Sequence, residues 1–119
     1  MQIILIIGQI LLGGYFVYSG LNHILGIKML SGYAKSKGVY APHLAVGFTG
    51  LMLLVGGLSI LFGFHMRIGI IILVIFMLGV TFVMHAFWTE KDSALRMNDE
   101  INFSKNVAIL GALLILFVK

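Results

Sequence analysis

The chain has no cysteine, one proline and only 10% charged residues in 119. The first absence excludes disulfides, thiolate-held metals and thiol redox chemistry by this chain alone. The scarcity of charge excludes an ordinary soluble domain, which carries about 25% charged residues. Basic runs are missing as well. The formal net charge is +4, yet nowhere do three Lys or Arg stand together, so nucleic acid is not the expected partner. The charges fall in short breaks between apolar segments, where an anionic membrane surface or the headgroup zone answers them. The first apolar run lacks a basic leader and a small-x-small cleavage signal, so it reads as a retained span. No nucleophile, base and orienter fall into a hydrolytic set.

What is present is apolar: 61% hydrophobic residues, with 15 glycines that allow membrane helices to pack closely. The expected fold is all-α, a transmembrane four-helix bundle forming one domain over residues 1–119. The expected spans are about 3–27, 43–64, 68–88 and 101–118, each near the roughly 20 residues that cross the hydrocarbon. Backbone hydrogen bonding in lipid favours helices, and the runs lack the alternation of barrel strands. Between the first two spans, Met29, Leu30, Tyr33 and Ala34 are expected to face lipid while Lys35 and Lys37 face water, which predicts a short interfacial helix stopped by Gly38. Pro42 fits the first turn of span two. Residues 64–67 make a tight hairpin, residues 89–100 a charged loop, and Asn98 or Asp99 is the expected cap of span four. Gly8, Gly13, Gly14 and Gly20 in span one, Gly47, Gly50, Gly56 and Gly57 in span two, and a Ser59–Gly63 pair are candidate packing positions.

Four crossings put both termini on the side of the 64–67 turn. The two long connections hold Lys28, Lys35, Lys37, Lys91 and Arg96, against Arg67 and Lys119 on the other side. The basic bias therefore places the long loops in the cytoplasm and the termini outside.

Three of the four histidines fall at that long-loop end: His23 closes span one, His43 opens span two and His85 closes span three. Asn106 lies five residues into span four. At 1.5 Å per residue, His23, His85 and Asn106 are expected some 5–8 Å inside the helix ends, with His43 shallower. Asn22, Lys105, Trp88 and Tyr18 extend the cluster. Taken singly, His43 and His65 read as interfacial groups, Trp88 and Tyr40 as interfacial anchors, and Lys105 as a snorkelling lysine. Taken together, buried polar groups in a membrane are costly enough to mark a pocket. Such a pocket suits a quinone, whose carbonyls need hydrogen-bond donors, a haem with one or two axial imidazoles, or a proton-linked carrier using histidine. A metal held by histidines alone is a weak reading. No carboxylate lies deep in the spans so delimited, which argues against a self-contained proton or sodium pump.

The residues also resemble a known family. Gly20-Leu21-Asn22-His23, the loop Tyr33-Ala34-Lys35 through Pro42, Gly56-Gly57-Leu58, Gly63 and Arg67 fit the DoxX family of small four-span membrane proteins. His85-Ala86-Phe87-Trp88, Met97-Asn98, Phe103-Ser104-Lys105-Asn106 and Gly111 carry the most specific part; the loop departs by lacking a second proline beside Pro42. The family takes its name from a subunit of an archaeal thiosulfate:quinone oxidoreductase. The resemblance implies a four-helix bundle in the cell inner membrane, with membrane lipid, another membrane protein or a second copy as partners. Three readings stay open: an accessory or ligand-binding module linked to quinone-dependent redox, a carrier or enzyme for a small lipid-soluble molecule, and a structural subunit.

Overall fold

The computed structural model describes residues 1–119, and all of its regular structure is helical. The order is α1 (Gln2–Leu25), α2 (Ile27–Ser36), α3 (Pro42–Phe62), α4 (Met66–Val83), a single 3₁₀ turn (Phe87–Thr89) and α5 (Ser93–Val118). Four segments are long and apolar enough to cross a membrane: Gln2–Leu25, Pro42–Phe62, Met66–Thr89 and Ser93–Val118. The chain divides into two compact units, Met1–Leu73 and Val74–Lys119, which are described in turn.

In the first unit α1 and α3 lie antiparallel with their backbones almost touching. A Cβ placed on Gly13 would stand 2.7 Å from the Leu61 nitrogen and 2.9 Å from the Gly57 carbonyl oxygen. Two turns further along α1, a Cβ on Gly20 would stand 2.9 Å from the Leu54 nitrogen and 3.0 Å from the Gly50 oxygen. Each pair, Gly13 with Gly20 and Gly50 with Gly57, is spaced seven residues apart, so each helix keeps one glycine seam facing the other. Phe16, Leu53 and Ile60 are buried around this seam. The α3–α4 contact uses the same device, with Gly56 taking the Leu73 side chain and Gly69 taking Ser59. Ser59 therefore faces Gly69, while Gly63 serves as a cap and not as the second half of a small-residue pair.

That cap explains the tight hairpin. Gly63 is left-handed at φ 68°, and the Phe64 N–H donates to the Ser59 carbonyl at 3.0 Å, closing a Schellman-type end. At the other end of α3, Pro42 starts the helix, as its missing N–H allows, and Ala41 before it is left-handed at φ 47°. Gly26 alone separates α1 from α2; its N–H donates to the Asn22 carbonyl at 2.8 Å and its carbonyl accepts from Leu30 at 3.0 Å. The short helix expected after span one is α2, separated from α1 by one residue and ending at Ser36, just before Gly38. It packs on α3 through Ser31 and Ala34.

The second unit departs most from expectation. Span three does not stay helical to Trp88: α4 stops at Val83, His85 lies in the turn that follows, and Phe87–Thr89 forms the 3₁₀ turn. Thr89 ties this turn back through its hydroxyl, which donates to the Ala86 carbonyl at 2.8 Å. The charged loop is also much shorter than residues 89–100. Asp92, not Asn98 or Asp99, caps α5, its Oδ1 accepting from the Ala94 and Leu95 N–H groups at 3.0 and 3.1 Å. Residues 93–100 are thus helical, and α5 begins eight residues before the apolar run does.

Candidate functional site

The early start of α5 changes what its charged residues do. Asp99, expected in a loop, sits inside the helix and is only 2% exposed. The buried residues of α5 are Asp99, Asn106 and Leu113, spaced seven apart on one stripe. Phe103 lies on the same face, four residues after Asp99 and three before Asn106.

His85 meets this stripe. Its Nδ1 stands 3.6 Å from Asp99 Oδ1, an ion pair whenever the imidazole is protonated. An isolated buried carboxylate is costly, and a facing imidazole reduces that cost when it carries a proton. The contact falls in the turn between the end of α4 at Val83 and the 3₁₀ turn that begins at Phe87. Phe87, Trp88 and Phe103 are mutually edge-on, with centroids 5.3–5.6 Å apart, and Phe82 meets Phe103 at 5.5 Å. These four rings tie the end of α4 and the 3₁₀ turn to the α5 face that carries Asp99. Edge-to-face pairs add about 0.5–1.5 kcal/mol each beyond area burial, so the cluster is a stiff wall. Trp88 nevertheless remains 52% exposed.

The other predicted site residues are distributed as follows. Asn106 is buried, one position round from exposed Lys105, which points off the stripe. His23 and His43 belong to the first unit. His23 is half-buried; its Nδ1 donates to the Ser19 carbonyl at 2.9 Å, and its Cβ packs where a Cβ on Gly50 would be 3.0 Å away. Asn22 is exposed, with its carbonyl occupied by Gly26, and His43 is exposed in the first turn of α3. Of the predicted trio, His23 lies in the first unit and His85 and Asn106 lie in the second.

Residue types alone did not reveal four polar groups. Asp99 is the most consequential, and its seven-residue spacing from Asn106 and Leu113 was the available signal. Hydropathy places the start of span four at Ile101, whereas the helix begins at Ser93, so Asp99 is helical and covered by protein two residues before the apolar run. Gln9 is the second; its Nε2 donates to the Ile60 carbonyl at 3.0 Å near the end of α3. The hydroxyls of Ser31 and Thr81, each 1% exposed, are buried without a hydrogen-bond partner. A buried orphan hydroxyl typically costs about 1–3 kcal/mol unless water or a ligand meets it. Thr81 is four residues before His85.

An all-helical chain with four candidate spans and an apolar, exposed surface defines a multi-pass integral membrane protein. It belongs to the DoxX family, whose profile matches residues 4–86. The chain is similar to inner membrane protein YphA of Escherichia coli (strain K12), with 29% identity over 116 residues, 98% of this chain and 82% of the relative. No solved structure matches it. His23 and His85 lie inside the family match, whereas Asp99 and Asn106 lie beyond its end.

Proposed function

We propose that this multi-pass inner-membrane protein is a small ligand-binding or accessory module whose site is built on His85 and Asp99, and that its ligand is a flat lipid-soluble molecule bearing a carbonyl, a quinone being the best match. The observation that carries this reading is the buried Asp99 carboxylate, 3.6 Å from His85 at a helix break walled by four aromatic rings. Irregular backbone within a span is tolerated where protein covers it or a polar cavity receives it. Ionisable groups there are costly and mark functional positions. The pair supplies hydrogen bonding to a carbonyl oxygen, and Phe87, Trp88 and Phe103 supply faces and edges for a flat ring. Asn106, about 10 Å further along the same stripe, offers an amide donor deeper in the helix. His23 is assigned to the α1–α3 packing.

Quinone content tests this reading. Protein extracted with its surrounding lipid should hold quinone above the bulk-membrane ratio, and His85→Ala should lower it to that ratio. An unchanged quinone-to-lipid ratio in both proteins removes the quinone assignment.

Asp99 specifically favours a second reading as a proton-linked carrier, because a buried carboxylate beside an imidazole can hold and release a proton. Substrate-dependent acidification inside proteoliposomes, lost in Asp99→Asn, would select this reading over a passive binding module.

We also propose that the connections carrying Lys28, Lys35, Lys37, Lys91 and Arg96 face the cytoplasm, since basic residues concentrate in them. With no native cysteine to interfere, Ser93→Cys reports on this directly. An impermeant maleimide should label it only in opened cells, and labelling of intact cells reverses the orientation.

A further inference from the structure

Asp and Glu are absent from the chain before Glu90. The first unit therefore holds Lys28, Lys35, Lys37 and Arg67 with no acidic side chain among its own residues, and three of these four stand on α2 or at its C-cap. Helix α2 turns three flanks to its surroundings. Ser31 and Ala34 are buried, with Ile27 and Leu30 half-buried beside them. Lys28 and Lys35, seven residues apart, share a second, exposed flank. Met29, 76% exposed, and Tyr33 share a third, apolar flank. Gly32 lies between the last two, and a Cβ built there meets nothing within 4 Å. The helix surface is therefore open between two lysines whose Cα atoms stand about 10 Å apart along the axis. The Tyr33 ring is steadied by Lys37, whose Nζ stands 5.8 Å from its centroid.

We propose that this side of α2 is a docking site for an anionic phospholipid, its headgroup phosphate held by Lys28 and Lys35 across Gly32 and its acyl chains laid along Met29 and Tyr33. Charge complementarity selects an anion, since nothing within the unit neutralises these lysines. The adjoining apolar flank selects a lipid over a free phosphate, which has no use for Met29 or an exposed tyrosine. Lysine stems of this length reach a phosphate centred between them while their methylenes cover apolar surface. The site uses neither His85 nor Asp99, so it stands or falls independently of the ligand proposed for that pair.

Native mass spectrometry of the full chain, released from nanodiscs containing equal phosphatidylglycerol and phosphatidylcholine, tests the proposal. The wild-type protein should retain phosphatidylglycerol preferentially. Lys28→Gln with Lys35→Gln should weaken that preference by about fivefold per lysine, on the order of 25-fold together, from the usual attraction of one lysine to an anionic surface. Lys28→Arg with Lys35→Arg should preserve it, and Gly32→Glu should abolish it by placing a carboxylate in the gap. Millimolar inorganic phosphate should not displace the lipid. Equal retention of both lipids by the wild-type protein, undiminished preference in the double glutamine variant, or displacement by inorganic phosphate would each overturn the assignment.

Discussion

Gly13→Ala should strip the protein of most of its folded population in detergent, while Gly14→Ala, one residue along, should leave it intact. The two positions share a helix, a residue type and nearly the same depth. They differ in what a methyl group meets. At Gly13 it would come within 2.7 Å of the Leu61 nitrogen and 2.9 Å of the Gly57 oxygen, whereas at Gly14 nothing lies within 4 Å. The Gly13 neighbours are backbone atoms of α3, so no side-chain rotation relieves the clash and the two helices must separate. Overpacking a well-fitted interior costs about 1–3 kcal/mol, and separation of a backbone seam belongs at or above the top of that range. Native stabilities of roughly 5–15 kcal/mol leave little margin for such a loss. At Gly14 the substitution gains up to about 1 kcal/mol of helix propensity. Gly57→Ala should repeat the Gly13 result from the opposite face, since its Cβ would stand 2.8 Å from the Val17 nitrogen. Denaturant midpoints followed by far-UV circular dichroism, together with monodisperse yield, provide the comparison. Equal midpoints for the Gly13 and Gly14 variants would show that the seam does not hold α1 to α3.

This contrast also marks how far the sequence is readable. Glycine is enriched in spans one and two, and close packing follows from that enrichment. Which glycines make the contact depends on the rotational register of two helices, and register is set by partner surfaces far away in sequence. The seven-residue spacing of Gly13 with Gly20 and of Gly50 with Gly57 is the part that was visible. Gly8, Gly79 and Gly111 look the same in sequence and face open space. The presence of four apolar helices was legible because hydrocarbon thickness and backbone hydrogen bonding permit few alternatives. Their ends were less legible. Hydropathy detects where apolar residues begin, but a helix begins where its first N–H groups find acceptors. Asp92 provides those acceptors well before Ile101. The same difference concealed Asp99, which hydropathy places in a loop and the helix places on a buried stripe. The sequence marks His85 as a candidate for its depth, and the structure adds a carboxylate oxygen 3.6 Å from its Nδ1.

The second large effect is expected at that pair, and a double-mutant cycle isolates it. Asp99 is 2% exposed and the His85 side chain 15% exposed, so solvent does little to screen their interaction. Removing one member of a buried pair typically costs about 3–5 kcal/mol, much of it from the charge left behind. His85→Ala leaves the Asp99 carboxylate buried beside a cavity, and should cost about 3 kcal/mol because the imidazole itself retains some contact with solvent. Asp99→Ala removes the charge together with the hydrogen-bonding group and should cost less. The two substitutions combined should be milder than their sum by at least about 1 kcal/mol, because once one partner is gone the other contributes nothing through the pair. Asp99→Asn separates the two roles: it keeps the shape and the hydrogen-bonding capacity but not the charge. A stable Asp99→Asn protein that has lost its bound quinone would assign the carboxylate to ligand binding through the orientation of His85. A stable protein that keeps its quinone would confine Asp99 to the architecture of α5. Strict additivity of the alanine substitutions would mean that the 3.6 Å approach carries no energy. The aromatic wall predicts the direction of the result: with Phe87, Trp88 and Phe103 locked edge to face around the α5 stripe, the turn bearing His85 has little freedom to swing toward water when its partner is removed. Each group then keeps close to its native place whichever partner is removed, and this fixed approach is what couples the pair.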